Sequence, residues 1–274
     1  MNIKLIAMDL DGTALQSDRK HFSPRLEAAL EQASRQGVTV GPVTGRQYGL
    51  LPPCVRNHPV WESLVVCING GQIRKLGSGA WISGVDISAD ALRSLLTLAE
   101  KFHLPIEFSV DSRLHLTEAS YRAQEPDAGL TFHRETILAN HGEIVDSLEP
   151  LCDARVEKVN LLCIPDACRE AVVAELAEMD VSAVWSSANC MEITHPDATK
   201  GNGIRALCRI LEIPMEAVMA LGDSGNDESM LREAGLGVAM GNAPDYVKAF
   251  ADVVTETNVN DGAAIAVERY VLGR

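Results

Sequence analysis

Four short polar clusters carry side chains that could do chemistry together: Asp9-Leu10-Asp11-Gly12-Thr13, Thr44-Gly45-Arg46, Lys200 after Thr199, and Gly222-Asp223-Ser224-Gly225-Asn226-Asp227. Carboxylates are hard oxygen ligands for a divalent cation, can attack an electrophile, and can move a proton to or from a reacting oxygen. A lysine supplies fixed positive charge, and a threonine hydroxyl with neighbouring backbone N–H groups donates to an anion. Asp9 and Asp11 stand two residues apart, so along an extended strand they start on the same side, and Gly12 lets the chain turn there. Each cluster also has an ordinary structural reading. A D-x-D-G turn can simply close a buried strand, most lysines lie on surfaces, Asp223 and Asp227 could cap the helix that follows them, and Arg46 serves equally well as an anion ligand or a salt-bridge partner.

The elements that must position these groups favour the chemical reading. Lys4–Met8, Val38–Val43, Leu64–Ile68 and Ala217–Leu221 are apolar runs of strand length, and each stops at a polar cluster, the third at Asn69-Gly70-Gly71. Helical spacing follows several of them. Ser23-Pro24 starts a segment with Leu26, Ala29, Leu30 and Ala33 on one face and Gly37 as its stop; Thr199-Lys200-Gly201 opens another through Ile204, Leu207, Cys208 and Leu211; a third runs from Ala263 to Val271. This alternation predicts an α/β fold with a Rossmann-like parallel-sheet core, whose ligands bind at the carboxyl ends of the strands.

Between about Gly84 and Ala188 the rhythm changes. A helix near Asp90–His103, strands near Ile106–Val110 and Val159–Ile164, a helix near Ala167–Met179 and a strand at Val181–Trp185 predict an inserted α+β cap domain over 84–188. The core is then 1–83 with 189–274, and Met191 resumes its strand-and-helix alternation. Residues 118–143 show no usable period. Ser83-Gly84 and Ala188-Asn189 read as two crossings, and an insertion held by two linkers is expected to close over the edge carrying Asp9.

A net charge of −14 argues against nucleic acid or an anionic membrane as a partner. No apolar run reaches membrane-spanning length and the first residues lack a signal pattern, which predicts a cytoplasmic protein. The seven cysteines contain no C-x-x-C pair and are odd in number, so they are expected to be reduced. The histidines lack metal spacing, and Trp61, Trp81 and Trp185 are expected in the core or an interface.

In this order and placement, the motifs resemble the haloacid-dehalogenase-like superfamily, specifically its Cof-type, sugar-phosphatase-like branch with a large C2-type cap. Asp9-Leu10-Asp11-Gly12-Thr13, Thr44-Gly45-Arg46, Lys200 and Gly222-Asp223-Ser224-Gly225-Asn226-Asp227 match its four motifs in turn, and Val238-Ala239-Met240-Gly241-Asn242-Ala243 looks like the same branch. The resemblance implies Mg²⁺-dependent hydrolysis of a small phosphorylated metabolite, sugar phosphates foremost, through an aspartyl-phosphate. It makes Asp9 the nucleophile and gives the Mg²⁺ to Asp9, the main-chain carbonyl of Asp11, and Asp223. The Asp11 side chain is then free to protonate the leaving alkoxide and deprotonate the attacking water. Lys200 neutralises the gathered charge, Thr44, Gly45, Arg46 and Asn226 hold the phosphoryl group, and Asp227 orients Lys200 or a metal-bound water. A phosphotransferase or mutase would share the phospho-aspartate, and a non-catalytic ligand-binding module could share the fold. The acid at position 11 disfavours the pump and dehalogenase branches. The position of the insertion, between Arg46 and Lys200, disfavours the mutases.

Overall fold

The computed structural model describes residues 2–58, 64–125, 127–131, 133–135 and 142–274. In chain order the strands are β1 (Leu5–Met8), β2 (Thr39–Pro42), β3 (Leu64–Cys67), β4 (Gln72–Lys75), β5 (Trp81–Gly84), β6 (Ile106–Val110), β7 (Arg113–Thr117), β8 (Glu143–Val145), β9 (Val156–Leu161), β10 (Ser182–Trp185), β11 (Met191–Thr194), β12 (Val218–Gly222), β13 (Leu236–Ala239) and β14 (Val253–Val254). The chain divides into two compact units, Met1–Gly84 with Thr199–Arg274, and Val85–Ala198.

The first unit is built on a five-stranded sheet in the order β14-β13-β12-β1-β2, with every pairing parallel. β1 shows why it forms. All four of its residues are fully buried, and successive side chains enter opposite layers. Ile6 and Met8 pack with Met219, Leu221 and the apolar faces of the helices Pro24–Arg35 and Gly262–Tyr270. Leu5 and Ala7 pack with Val218, Ala220 and the Ile204, Leu207 and Cys208 face of the helix Lys200–Leu211. The caps read from the sequence are in place: the Ser23 and Thr199 hydroxyls accept the N–H groups of Leu26 and Asn202 at 3.1 and 3.2 Å.

Two strands differ from the sequence reading. β3, expected as a third strand of the parallel sheet, pairs antiparallel with β4 in a separate three-stranded sheet, meets the parallel sheet through one parallel bridge, Val43 to Val66, and packs Val65 and Cys67 into its core. Gly70-Gly71 turns the chain back at once, and a two-stranded return needs only a tight turn whereas a parallel partner needs a crossover. β11, expected to resume the core, pairs instead with β9 and β10.

The second unit contains the six-stranded sheet β10-β11-β9-β6-β7-β8, antiparallel except at β7 and β8. Its core packs Leu92, Leu95 and Ala99 of the helix Ala89–Phe102 and Val172 and Leu176 of the helix Arg169–Leu176 against Phe108, Val159, Leu161 and Ile193. Within 118–143, where no period is readable, lie the helix Glu118–Ala123 and the start of β8. Trp81 and Trp185 are not core residues, being 36% and 41% exposed, and Trp61 lies outside the described residues. All seven cysteines are free thiols. Among the described residues no helix is long and apolar enough to cross a membrane.

Candidate active site

The carboxyl ends of β1, β2 and β12 bring the clusters together. Asp9 follows β1, and its N–H donates to the Leu221 carbonyl at 3.0 Å, which ties it to β12. The chain then turns tightly over Leu10–Ala14 with Gly12 at φ 79°. A Cβ at Gly12 would stand 2.4 Å from Asp223 Oδ2, so the turn needs glycine both for its backbone angle and for the approach of the Asp223 carboxylate. The Thr13 hydroxyl donates to Asp223 Oδ1 at 3.0 Å and Asn242 Nδ2 donates to the Gly12 carbonyl at 2.9 Å, which locks the two loops together.

Lys200 enters from the first turn of its helix. Its Nζ donates to Asp9 Oδ1 at 2.5 Å and to Asp227 Oδ1 at 2.6 Å, and both Lys200 and Asp227 are completely buried. The other oxygen of Asp227 accepts the N–H groups of Asp223 and Ser224, each at 2.9 Å. Asp227 therefore caps its turn and holds the lysine at once. Burial alone would lower the Lys200 ammonium, but Asp227 and Asp9 more than offset this and hold it above its ordinary range. Burial pushes the Asp9 carboxyl up to about 8, against Lys200, which pulls it down, with Asp227 and Asp223 as further raising charges. Burial likewise lifts Asp223 to about 6 against the hydrogen bond from Thr13.

One oxygen each from Asp9, Asp223 and Asp227 lie within 4.8 Å of one another. Asp227 is the most fully engaged of the three, with Lys200 on one oxygen and two backbone N–H groups on the other. Two carboxyls raised chiefly by burial, with a third acid beside them, are what a small hard cation that retains several waters would fit.

Arg46 resolves differently from Asp227. Its guanidinium grips Asp11 through Nε to Oδ2 at 2.7 Å and Nη2 to Oδ1 at 2.6 Å, and its Nη1 donates to the Leu50 carbonyl at 3.1 Å. The Asp11 side chain, expected to be left free of the metal, is held by a two-point ion pair, because β2 lies next to β1 and its terminal loop faces the turn after Asp9. Thr44 is buried, and its hydroxyl accepts the Arg46 N–H at 3.1 Å. A Cβ at Gly45 would come 3.0 Å from Asn69 Oδ1, the same oxygen that accepts Asn226 Nδ2 at 2.8 Å.

Asn69 and Asn242 belong to this edge although sequence reasoning gave neither a role. Asn69 bridges the loops after β2 and β12. Asn242 fastens the Asp9 turn and reaches Asp223 Oδ2 at 3.4 Å. The signal was the rule that located the others, since Asn69 follows β3 and Asn242 follows β13.

A model of the haloacid dehalogenase-like hydrolases matches residues 6–267. Phosphatase YwpJ of Bacillus subtilis is 30% identical over 96% of this chain and 98% of its own. The 5-amino-6-(5-phospho-D-ribitylamino)uracil phosphatase YcsE of the same organism is 29% identical over 99% of this chain and 97% of its own. The solved structure of a haloacid dehalogenase-like hydrolase from B. subtilis superposes with a TM-score of 0.76 at 28% identity, covering 98% of this chain and 100% of that one. Family model, relatives and fold agree with the constellation at the sheet edge: the chain belongs to the haloacid dehalogenase-like hydrolases and, with its relatives, to the phosphatases of that family.

Proposed function

We propose that the chain is a Mg²⁺-dependent phosphatase of small phosphorylated metabolites and that Asp9 is its nucleophile. The observation that carries this reading is the buried Asp9 carboxylate, held by Lys200 on one oxygen and close to Asp223. Asp9 and Asp223, with the Asp11 carbonyl, would hold the cation, which when bound screens the carboxylates from the phosphoryl oxygens and polarises the ester.

In the first half of the reaction an Asp9 oxygen bonds to phosphorus as the ester P–O bond breaks, and the departing alkoxide takes a proton from the Asp11 carboxyl. In the second half Asp11 takes a proton from water, the water oxygen bonds to phosphorus, and the bond to Asp9 breaks to release inorganic phosphate. Arg46 grips both Asp11 oxygens in the resting protein, so Asp11 must give up part of that pair to meet the leaving oxygen. Thr44 and Asn226 lie on the same edge as phosphate donors, Gly45 keeps the approach open, and Asp227 keeps Lys200 pointed at Asp9.

The relative that acts on a phosphoribitylamino compound, as its name states, supports a small-metabolite substrate. Phosphate release across sugar phosphates, nucleotides, pyridoxal phosphate and flavin mononucleotide, with Mg²⁺ and with a chelator, tests the reading. Mg²⁺-dependent release from at least one sugar phosphate is expected. Release that persists at full rate in chelator would overturn the cation's part.

A further inference from the structure

Outside the four motif clusters, one loop of the first unit reaches the candidate site: residues 255–258, between β14 and the helix Gly262–Tyr270. It is seated on the end of β13. The Thr255 N–H donates to the Ala239 carbonyl and the Gly241 N–H to the Glu256 carbonyl, each at 3.0 Å. A Cβ at Gly241 would stand 2.8 Å from the Thr257 nitrogen, so only a glycine lets the two backbones meet this closely. The loop then grips the far end of the turn after Asp9, where Asn258 Nδ2 donates to the Leu15 carbonyl at 3.1 Å and Gln16 Nε2 donates to the Asn258 carbonyl at 3.1 Å.

Asn242 joins this loop to the acids of the site. Its Oδ1 accepts the Asn258 N–H at 3.0 Å. A backbone N–H can only donate, so the amide has one orientation, with Nδ2 turned to the Gly12 carbonyl at 2.9 Å and to Asp223 Oδ2 at 3.4 Å. The Gly12 carbonyl can only accept, and both ends of the amide therefore demand the same orientation. Asn242 is exposed, and an exposed amide left to itself exchanges rotamers and partners with water. Pinned by Asn258 it stays turned to the site, and Asp223 then has a donor on each oxygen, Thr13 Oγ1 on Oδ1 and Asn242 Nδ2 on Oδ2.

We infer that Asn242 and Asn258 are positioning residues for the cation site: Asn258 orients the Asn242 amide, and Asn242 fixes the Asp223 carboxylate against the turn that follows Asp9. The inference rests on the reading of Asp9 and Asp223 as cation ligands. Groups that hold a ligating side chain set its direction and its affinity for the ion without touching the ion themselves.

Calorimetric titration of Mg²⁺ into the full-length, cation-free protein tests this with wild type, Asn242→Ala and Asn258→Ala. Asn242→Ala is expected to weaken Mg²⁺ binding about tenfold, the low end for a group that holds a metal ligand. Asn258→Ala keeps its backbone N–H and is expected to weaken binding less, in the same direction. In phosphate release the loss should appear as a higher Mg²⁺ requirement, with kcat restored toward wild type at saturating Mg²⁺ and the KM for substrate unchanged. Thermal unfolding in chelator reports whether each variant is folded, and if Asn242→Ala is not, Asn258→Ala carries the test. Wild-type Mg²⁺ affinity in the folded variants, with or without a lowered Tm, would reduce both residues to ties between loops and overturn the inference. A raised substrate KM at unchanged Mg²⁺ affinity would overturn it as well. A wild-type protein that binds no Mg²⁺ would overturn the ligand reading itself, so the two failures are distinguishable.

Discussion

Lys200 Nζ lies 2.5 Å from Asp9 Oδ1 although the two residues are 191 apart in sequence, and the ammonium is completely buried. Two buried carboxylates and one ammonium hold together only as a set, since each charge has been taken out of water. Lys200→Met leaves Asp9 and Asp227 facing each other without a counter-ion. The expected loss is about 3–5 kcal/mol of stability in the cation-free protein, measured by denaturant unfolding, together with loss of phosphate release. Stability within error of wild type would show that the lysine is not a structural centre of this edge.

The raised carboxyls fix the direction of the pH dependence. Asp9 is lifted to about 8 and Asp223 to about 6, both chiefly by burial, so each holds its proton longer in the folded state than in the unfolded one. The sign follows from linkage: their contribution to the stability of the cation-free protein is fully present below the ordinary aspartate range and is lost as pH rises through about 6 and then about 8. A bound divalent cation needs the deprotonated forms and reverses that loss. Calorimetric Mg²⁺ affinity, and the rise in Tm that Mg²⁺ gives, should both increase from pH 5 to pH 8. Affinity that is flat across this window would contradict Asp9 and Asp223 as the ligands.

In the proposed reaction the two-point pair between Arg46 and Asp11 would make Arg46 a positioning residue for the proton-transfer step. Asp11→Asn should keep Mg²⁺ affinity and lose about 10²–10⁴-fold in kcat, the usual worth of general acid–base catalysis. Arg46→Lys keeps the charge but not the fork, and should lower kcat more than it raises KM. A change in KM alone would assign Arg46 to phosphate binding.

Much of this edge was legible because β1, β2 and β12 are buried on both faces. Leu5-Ile6-Ala7-Met8 and Ala217–Leu221 read as continuous apolar runs, and the abrupt change to Asp9 or Asp223 marks where the chain leaves the sheet. Strand pairing was less legible. The Leu64–Ile68 run is as apolar as β1, and the choice of β4 as its partner is made by a tight turn rather than by its own residues. Met191–Thr194 is equally strand-like wherever it pairs. The segment 118–143 hides a helix of six residues and the start of a strand of three, both too short for a period to declare itself. The Asp11–Arg46 pair depends on which way two side chains turn, and motif spacing carries no record of that.

In the proposed reaction Asp9 attacks phosphorus. Phosphate release by Asp9→Asn, from the best substrate of the panel in saturating Mg²⁺, tests it most directly, with far-ultraviolet circular dichroism and thermal unfolding to establish that the variant is folded. An amide is a poor nucleophile and a poor cation ligand, so release at the rate of buffer alone is expected. Wild-type turnover by the folded variant would contradict the account.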